Sequence, residues 1–489
     1  MNRYTTIVLA AAASVAVGCK DNPVANPIDA PTVDALNGPM TRITLLQLAT
    51  GVLAQDRTSA NAFAYAIEPG IWGRDVYRID ASEPRFVQET LGGNPDPGSF
   101  SGSGNWAGFY TAMRAANNLL LALPTAATPE FTAEELSATR GFIRTIKALD
   151  YWRVIEMHDS VGATIQTDDP AAVTEIKCKA TVLAYIAALL DSANADLTAA
   201  GGTTKLPFTL PTGFTAFGRD YSVVSNIVKF NRGVKGKVDF YRGLDRKNPT
   251  PALFATAITE LTQALGGAAP GAVPPADFSK GPYYVFVAGG SENTPNTISD
   301  AKIGLNPLVG DSVQAGDTRV SKIVARTPLA GFGISTSITY VKAVASTANQ
   351  TAPRGILRDE ELVLLRAQAY IEAGQLANAI LDINSVRTSY GLAPVAPVTK
   401  ASAIDAVLYE KRYSLLFEGA QRLDDLREYG RLNAPNLRPE TATDPFTRHF
   451  RSARPRGGAN QQLIAKRRSR HHFDDPVFAP TQQVALRLP

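Results

Sequence analysis

Only two cysteines, Cys19 and Cys178, occur in 489 residues. With Cys19 modified, Cys178 has no partner, which excludes a disulfide framework and a cysteine-based metal site. Histidine is nearly as scarce: His158 stands apart from His449, His471 and His472 in the C-terminal tail. No H-E-x-x-H pair, G-x-S-x-G elbow or glycine-rich phosphate loop is present. The sequence thus offers no catalytic constellation, no metal site and no cofactor site. Long apolar runs are absent too. The best internal candidate, Val182–Leu190, is short and bounded by charges, whereas a membrane helix needs about 20 apolar residues.

A basic body is also missing. The net charge is +4, yet residues 451–472 alone hold seven Arg or Lys and no acid, leaving about −3 for the rest. This is not the charge pattern of a nucleic-acid-binding protein, and no nucleic-acid partner is expected. With 45% hydrophobic and 19% charged residues, the chain has the composition of a globular protein.

The N-terminus is distinctive. Arg3 precedes the apolar run Ile7–Val17, which ends at Gly18-Cys19. This is the charged, hydrophobic, small-residue plan of a secretory signal. A cysteine at the cleavage region resembles a bacterial lipobox, although Ala16 stands where a larger aliphatic is typical. The expectation is a signal peptide over 1–18 and lipidation at Cys19. The Pro- and Asn-rich segment 19–40 would then be a flexible tether. Acyl chains would hold the protein on a lipid bilayer without spanning it.

From Thr41 onward helical periodicity dominates. Helices are predicted over 41–55 (with Ile43, Leu46 and Val52 near the spacing of one helical face), 105–123, 133–157, 171–198, 223–242 and 251–265. The stripe Leu136, Phe142, Ile146, Leu149 and Ile155 should face the core. Cys178 falls inside the predicted 171–198 helix, as a small buried or half-buried residue. Residues 266–355 change character, with frequent Gly, Pro, Ser and Thr and β-prone pieces at Tyr283–Val287 and Ile334–Val341. Helices return at 358–373, 376–388, 402–418 and 420–430. The first two, joined through Gly374-Gln375, resemble one tetratricopeptide repeat. The fold class is therefore mainly α: a tetratricopeptide-like helical scaffold with an irregular, loop-rich insertion carrying short strands. The expected divisions are 41–265, 266–355 and 356–440, followed by an atypical basic tail over 441–489.

The C-terminal helices carry a family resemblance. The acidic start Asp359-Glu360-Glu361, Arg366-Ala367-x-Ala369-Tyr370 and Ile383-Asn384-x-Val386-Arg387 come first. Glu410-x-Arg412, Phe417-Glu418-Gly419 and Asp425-Leu426-Arg427 follow. In kind, order and spacing this resembles the SusD/RagB family. Asn105–Leu120, Gly141–Gly162 and Lys229–Gly243 resemble its N-terminal half, so the similarity spans roughly 41–440. Two departures stand out: Leu423 follows Arg422 where the family often has an aromatic, and the tail is basic. A divergent tail or a shifted reading frame near Thr441–Arg451 accounts for the second. The resemblance implies a lipid-anchored outer-membrane protein facing the cell exterior. It would capture glycans, oligosaccharides or sometimes peptides and deliver them to a SusC-type TonB-dependent transporter. No enzymatic activity is implied.

Sugar capture needs aromatic faces with polar rims. The candidate ligand-binding aromatics are Trp72, Tyr77, Phe214, Tyr221, Tyr283 and Tyr284. Arg74, Asp75, Arg219, Asp220 and Asn293 are their candidate polar partners, whereas Trp106 and Trp152 are assigned to the core. The acids Glu410, Glu418, Asp424 and Asp425 lie near Arg412, Arg422 and Arg427. Arginine neighbours lower a carboxyl pKa, which suits helix-to-helix ion pairs rather than a glycosidase pair. Two rival readings are an envelope interaction scaffold without a small ligand and a lipoprotein glycoside hydrolase.

Overall fold

The computed structural model describes residues 38–92, 96, 100–166, 172 and 174–440. The expected signal peptide, Cys19, most of the tether and the basic tail lie outside the described residues. In the N-terminal half the helices are α1 (Arg42–Asn61), the short α2 (Phe63–Ala66) and α3 (Glu68–Trp72), α4 (Phe100–Ala122), α5 (Ala133–His158), α6 (Lys179–Ala200), α7 (Val224–Leu244) and α8 (Leu253–Ala264). The short α9 (Pro307–Asp311) and α10 (Thr347–Gln350) precede α11 (Asp359–Glu372), α12 (Leu376–Ser389), α13 (Lys400–Ser414) and α14 (Gln421–Glu428).

Local chemistry starts the longest helix. The Thr132 hydroxyl accepts from the Glu135 amide at 3.2 Å, and Glu135 accepts from the Thr132 amide at 3.0 Å. This reciprocal cap satisfies two amides that a helix start otherwise leaves without partners. All five members of the predicted α5 stripe are buried. The same helix buries charges as well. Arg153 pairs with Asp56 of α1 and, at 3.1 Å, with Asp150, while Trp152 donates to Glu156 at 2.8 Å.

The helices pack as neighbours in series: α1 on α4, α4 on α5, α5 on α6, α6 on α7, α7 on α8, α8 on α11, and α11 on both α12 and α13. This is a tetratricopeptide-like stack, in which each helix finds its cover in the next. One continuous apolar core runs through it. The described strands form only two-stranded antiparallel sheets. β1 (Val76–Arg78) pairs with β5 (Ile303–Leu305), and β2 (Ala163–Thr164) with β3 (Ile176–Lys177). β4 (Tyr283–Tyr284) pairs with β8 (Arg354–Gly355), and β6 (Ile323–Gly331) with β7 (Ile334–Tyr340). The β4–β8 pair draws the two ends of the loop-rich stretch together.

Three local expectations are corrected. Helix α6 begins at Lys179, not 171, because Ile176-Lys177 pairs with β2 instead. Cys178 is consequently exposed at the helix N-cap, not buried within it. In α1, Ile43 and Leu46 face outward, while Leu45, Ala49, Val52 and Leu53 face the core. The choice between two adjacent apolar stripes was made by the packing of α4.

Candidate functional site

Several segments distant in sequence meet at one cleft. Strand β4 places Tyr283 opposite Gly355 of β8, beside Arg354. Strand β7 ends at Tyr340 and runs into a single turn that carries Lys342. A short helical turn, Thr318–Lys322, brings in Lys322 ahead of β6. The N-terminus of α11 supplies Arg358 and Glu360, and the turn after α13 supplies Phe417 and Glu418. Together they line a cavity of about 270 Å³, near the lower end of ligand pockets, roughly 300–1,000 Å³. A second cavity beside Asp75, Arg412 and Gln421 measures only about 30 Å³, room for a single water.

Two aromatic stacks border the cleft. Buried Tyr340 and half-buried Phe417 lie nearly parallel, with centroids 4.9 Å apart and planes at 20°. Tyr283 stacks on Phe217 at 4.2 Å and 23°. Phe417 has φ +65°, a left-handed conformation that costs a bulky residue energy and tends to occur at functional sites.

Charged groups share the lining with Asn296, Ile298, Tyr390 and Leu416. Arg358 holds both acids: Nε donates to Glu418 at 2.7 Å, Nη2 to Glu418 at 3.0 Å and Nη1 to Glu360 at 2.8 Å. Burial alone would raise the Glu360 carboxyl, but Arg358 and Lys322 outweigh it and hold it below its usual value. The other cations make no ion pair among the described residues. Lys322 donates to the Tyr413 and Ser414 carbonyls, both at 2.7 Å. Burial lowers its ammonium pKa to about 8, despite Glu360 and Glu418. Lys342 donates to the Pro353 carbonyl at 3.3 Å and is likewise lowered by burial. Arg354 stands opposite Tyr284, and its guanidinium turns away from the cleft, over the Tyr284 and Phe286 rings, to reach the Ala60 carbonyl through Nη2 at 2.6 Å; its buried Nη1 has no hydrogen-bond partner among the described residues. Burial brings the Arg354 guanidinium down to about 10. Burial raises Tyr283 to about 12, against the pull of Arg358.

Of the six aromatics predicted from sequence, only Tyr283 reaches this cleft. Trp72 is 2% exposed and donates to the Thr90 carbonyl. Tyr77 is 1% exposed and donates to Glu440 at 2.8 Å. Phe214 and Tyr221 are buried, with Phe214 packed edge-on against Phe142. Tyr284, adjacent to Tyr283 in a strand, points to the opposite face and donates to buried Asp56. These five fill the core and offer no accessible face. Trp152 is buried and Trp106 partly buried. The predicted rims are occupied as well: Asp75 pairs with Arg412, Arg219 with Asp359, and Asn293 accepts from the Gly289 amide. Tyr340, Phe417, Lys322, Lys342 and Arg354 were not foreseen. Tyr340 closes the β-prone piece Ile334–Val341, and alternation along that strand was the one available signal.

The acids of the C-terminal helices are ion-paired, mostly with other partners than their sequence neighbours. Glu410 pairs with Arg319 and Arg387, Glu418 with Arg358, and Asp425 with Lys411; only Asp424 meets Arg427. Burial raises the Glu410 and Asp424 carboxyls, opposite to the direction expected from arginine neighbours. Desolvation exceeds the attraction there.

The serial helices and their loop-borne cleft define the class: a mainly helical scaffold carrying a recessed, loop-built cleft. No helix among the described residues is long and apolar enough to cross a membrane. Residues 316–474 match the sequence model of the SusD family. No curated protein matches the chain, whereas 63 solved chains match its structure. A SusD homolog from Bacteroides thetaiotaomicron has 16% identity and TM-score 0.59, covering 85% of this chain and 90% of its own. A SusD-like carbohydrate binding protein from Bacteroides vulgatus has 15% identity and TM-score 0.57, covering 78% and 82%. A laminarin binding SusD-like protein has 15% identity and TM-score 0.55, covering 82% and 98%. The SusD/RagB resemblance read from the C-terminal helices is thereby borne out: a SusD-family sequence region sits on a SusD fold.

Proposed function

We propose that this chain is a lipid-anchored outer-membrane protein that captures oligosaccharides at the cell exterior for a SusC-type TonB-dependent transporter. The observation that carries the reading is the cleft bordered by the Tyr340–Phe417 and Tyr283–Phe217 stacks, with charged side chains between them. Apolar C–H faces of a sugar ring pack on aromatic planes, and hydroxyls need fixed polar partners beside them. The solved relatives described as carbohydrate or laminarin binding agree with this ligand class.

Binding without hydrolysis fits the cleft's acids. Arg358 grips both Glu360 and Glu418, and Glu360 is held below its usual pKa. A glycosidase acid needs its pKa raised. A lipid at Cys19 would keep the chain beside its transporter and raise the effective concentration of the pair. The test is a glycan array with the purified chain, followed by calorimetry on each hit. Retention of an oligosaccharide, weakened by Tyr283→Ala and without product formation, is expected. Turnover of that sugar, abolished by Glu418→Gln, would replace this reading with a hydrolase.

A further inference from the structure

Behind the cleft, buried polar atoms gather without partners. Gln421, the first residue of α14, is 3% exposed, and neither its Nε2 nor its Oε1 has a hydrogen-bond partner among the described residues. Arg354 Nη1 likewise has none, on the core face of β8 where the guanidinium lies over Tyr284. Glu361 Oε1, from α11, is ion-paired with Lys237 at 3.1 Å but accepts no hydrogen bond. These three side chains line one small cavity of about 20 Å³, walled by Trp152 and Tyr284. Gln421 also lines the cavity of about 30 Å³ beside Asp75. There the buried Arg422 Nε has no hydrogen-bond partner among the described residues and stops 3.7 Å short of Asp75 Oδ2.

Unpaired donors and acceptors are costly to bury, and native proteins pair nearly all of them. A water needs a cavity of roughly 10–15 Å³ or more and two to four polar partners. Both cavities are large enough. Between them they offer donors at Arg354 Nη1, Gln421 Nε2 and Arg422 Nε, and acceptors at Glu361 Oε1, Gln421 Oε1 and Asp75 Oδ2. This mixed set suits neither ion. An anion would face Glu361 and Asp75, and a cation would face Arg354 and Arg422. Water both donates and accepts, and it commonly spans a polar gap wider than about 3.5 Å.

We infer that two ordered waters bind here, one in each cavity, bridged by the Gln421 amide. One joins Arg354 of β8 and Glu361 of α11 to α14. The other joins Arg422 of α14 to Asp75. Glu418 lines both the first cavity and the cleft, while Leu416 and Phe417 line both the second cavity and the cleft. The waters therefore back the turn that forms this wall of the cleft, and Gln421 is a positioning residue for it. This holds whatever ligand the cleft takes.

The experiment counts long-lived waters in the intact chain and in Gln421→Leu by water-oxygen magnetic relaxation dispersion, and locates them in a high-resolution crystal of the wild type. Circular dichroism first checks that the variant folds; if it does not, Gln421→Met takes its place. Two waters are expected in the wild-type density, each within hydrogen-bond distance of Gln421. The dispersion amplitude should fall in the variant by the equivalent of at least one water, and amides 416–421 should exchange faster with deuterium. Cavities without density, or an ion in place of water, would overturn the inference. So would a dispersion amplitude unchanged in a folded variant. Waters lost with amide exchange unchanged would overturn the positioning role.

Discussion

Arg319 and Glu410 meet deep inside the protein, Nη2 lying 2.6 Å from the carboxylate with both side chains fully buried. Arg319 is also gripped by Asp317 at 2.8 Å, and Glu410 by Arg387 at 2.9 Å. Three rings, Tyr390, Tyr409 and Tyr413, surround the guanidinium. The pair ties the turn carrying Lys322 to α13, and so holds one wall of the cleft. Glu410→Gln should destabilise the fold by about 3–5 kcal/mol, because it strands two buried arginines with one remaining acid. A urea midpoint within error of the wild type would contradict the role.

One substitution should act with opposite signs at two glycines. A Cβ at Gly141 would lie 2.6 Å from Leu197 Cγ and 2.8 Å from the Ala193 carbonyl, where α5 presses on α6. Gly141→Ala should cost about 1–3 kcal/mol by overpacking. At Gly51, within α1, a Cβ would meet nothing within 4 Å. There Ala should gain roughly 0.5–1 kcal/mol by restricting the unfolded chain and favouring helix. Paired thermal melts read both.

Lys322 predicts an alkaline response. Its pKa is about 8 in the fold against 10.5 when unperturbed, chiefly through burial, with Glu360 and Glu418 opposing and Arg358 and Arg319 assisting. Between those values the unfolded chain binds more protons, so stability should rise with pH from about 8 to 10. Above about 10 the raised tyrosines reverse the trend, because their unfolded forms ionise first. Lys322→Met should abolish the rise, as followed by denaturant midpoints at each pH. A rise unchanged in the variant would assign it elsewhere.

Phe417 combines strain with a ring stack at the cleft. Phe417→Gly removes the left-handed backbone cost together with the ring, so its stability should stay within about 1 kcal/mol of wild type. Phe417→Ala loses the ring and keeps the strain, and should be less stable than the glycine variant. Both should lose glycan affinity by calorimetry. Equal affinity in all three proteins would remove Phe417 from the site.

Cys178 is exposed at the N-cap of α6, its sulfur 3.1 Å from the Thr181 hydroxyl, and that contact lowers the thiol pKa. Native labelling with a maleimide, mapped by peptide digestion, should reach Cys178 readily, and Thr181→Val should slow it. Labelling that requires denaturant would return the residue to the interior position expected from sequence.

The long helices were legible because their apolar spacing and caps are local. Leu136, Phe142, Ile146, Leu149 and Ile155 announce one face of α5. The cleft was not legible. Tyr283 and Tyr284 are adjacent and chemically alike, yet one lines the cleft and the other donates to buried Asp56. Which face a two-residue strand shows to solvent depends on its pairing with Arg354-Gly355, at the far end of the loop-rich stretch. Ion-pair partners were equally hidden. Glu410 and Arg412 are two apart on a helix and diverge, so Glu410 turns to Arg319 while Arg412 reaches Asp75.

By itself the sequence determined a mainly helical chain, its C-terminal family character and the expectation of an exported, lipid-bearing N-terminus. These rest on short-range patterns: helical periodicity, motif spacing and a contiguous signal. Only the tertiary structure decided which aromatics are core and which line the cleft, and which acids each cation meets. Burial and charge pairing are sums over neighbours distant in sequence, and the packing of the helices chose those neighbours.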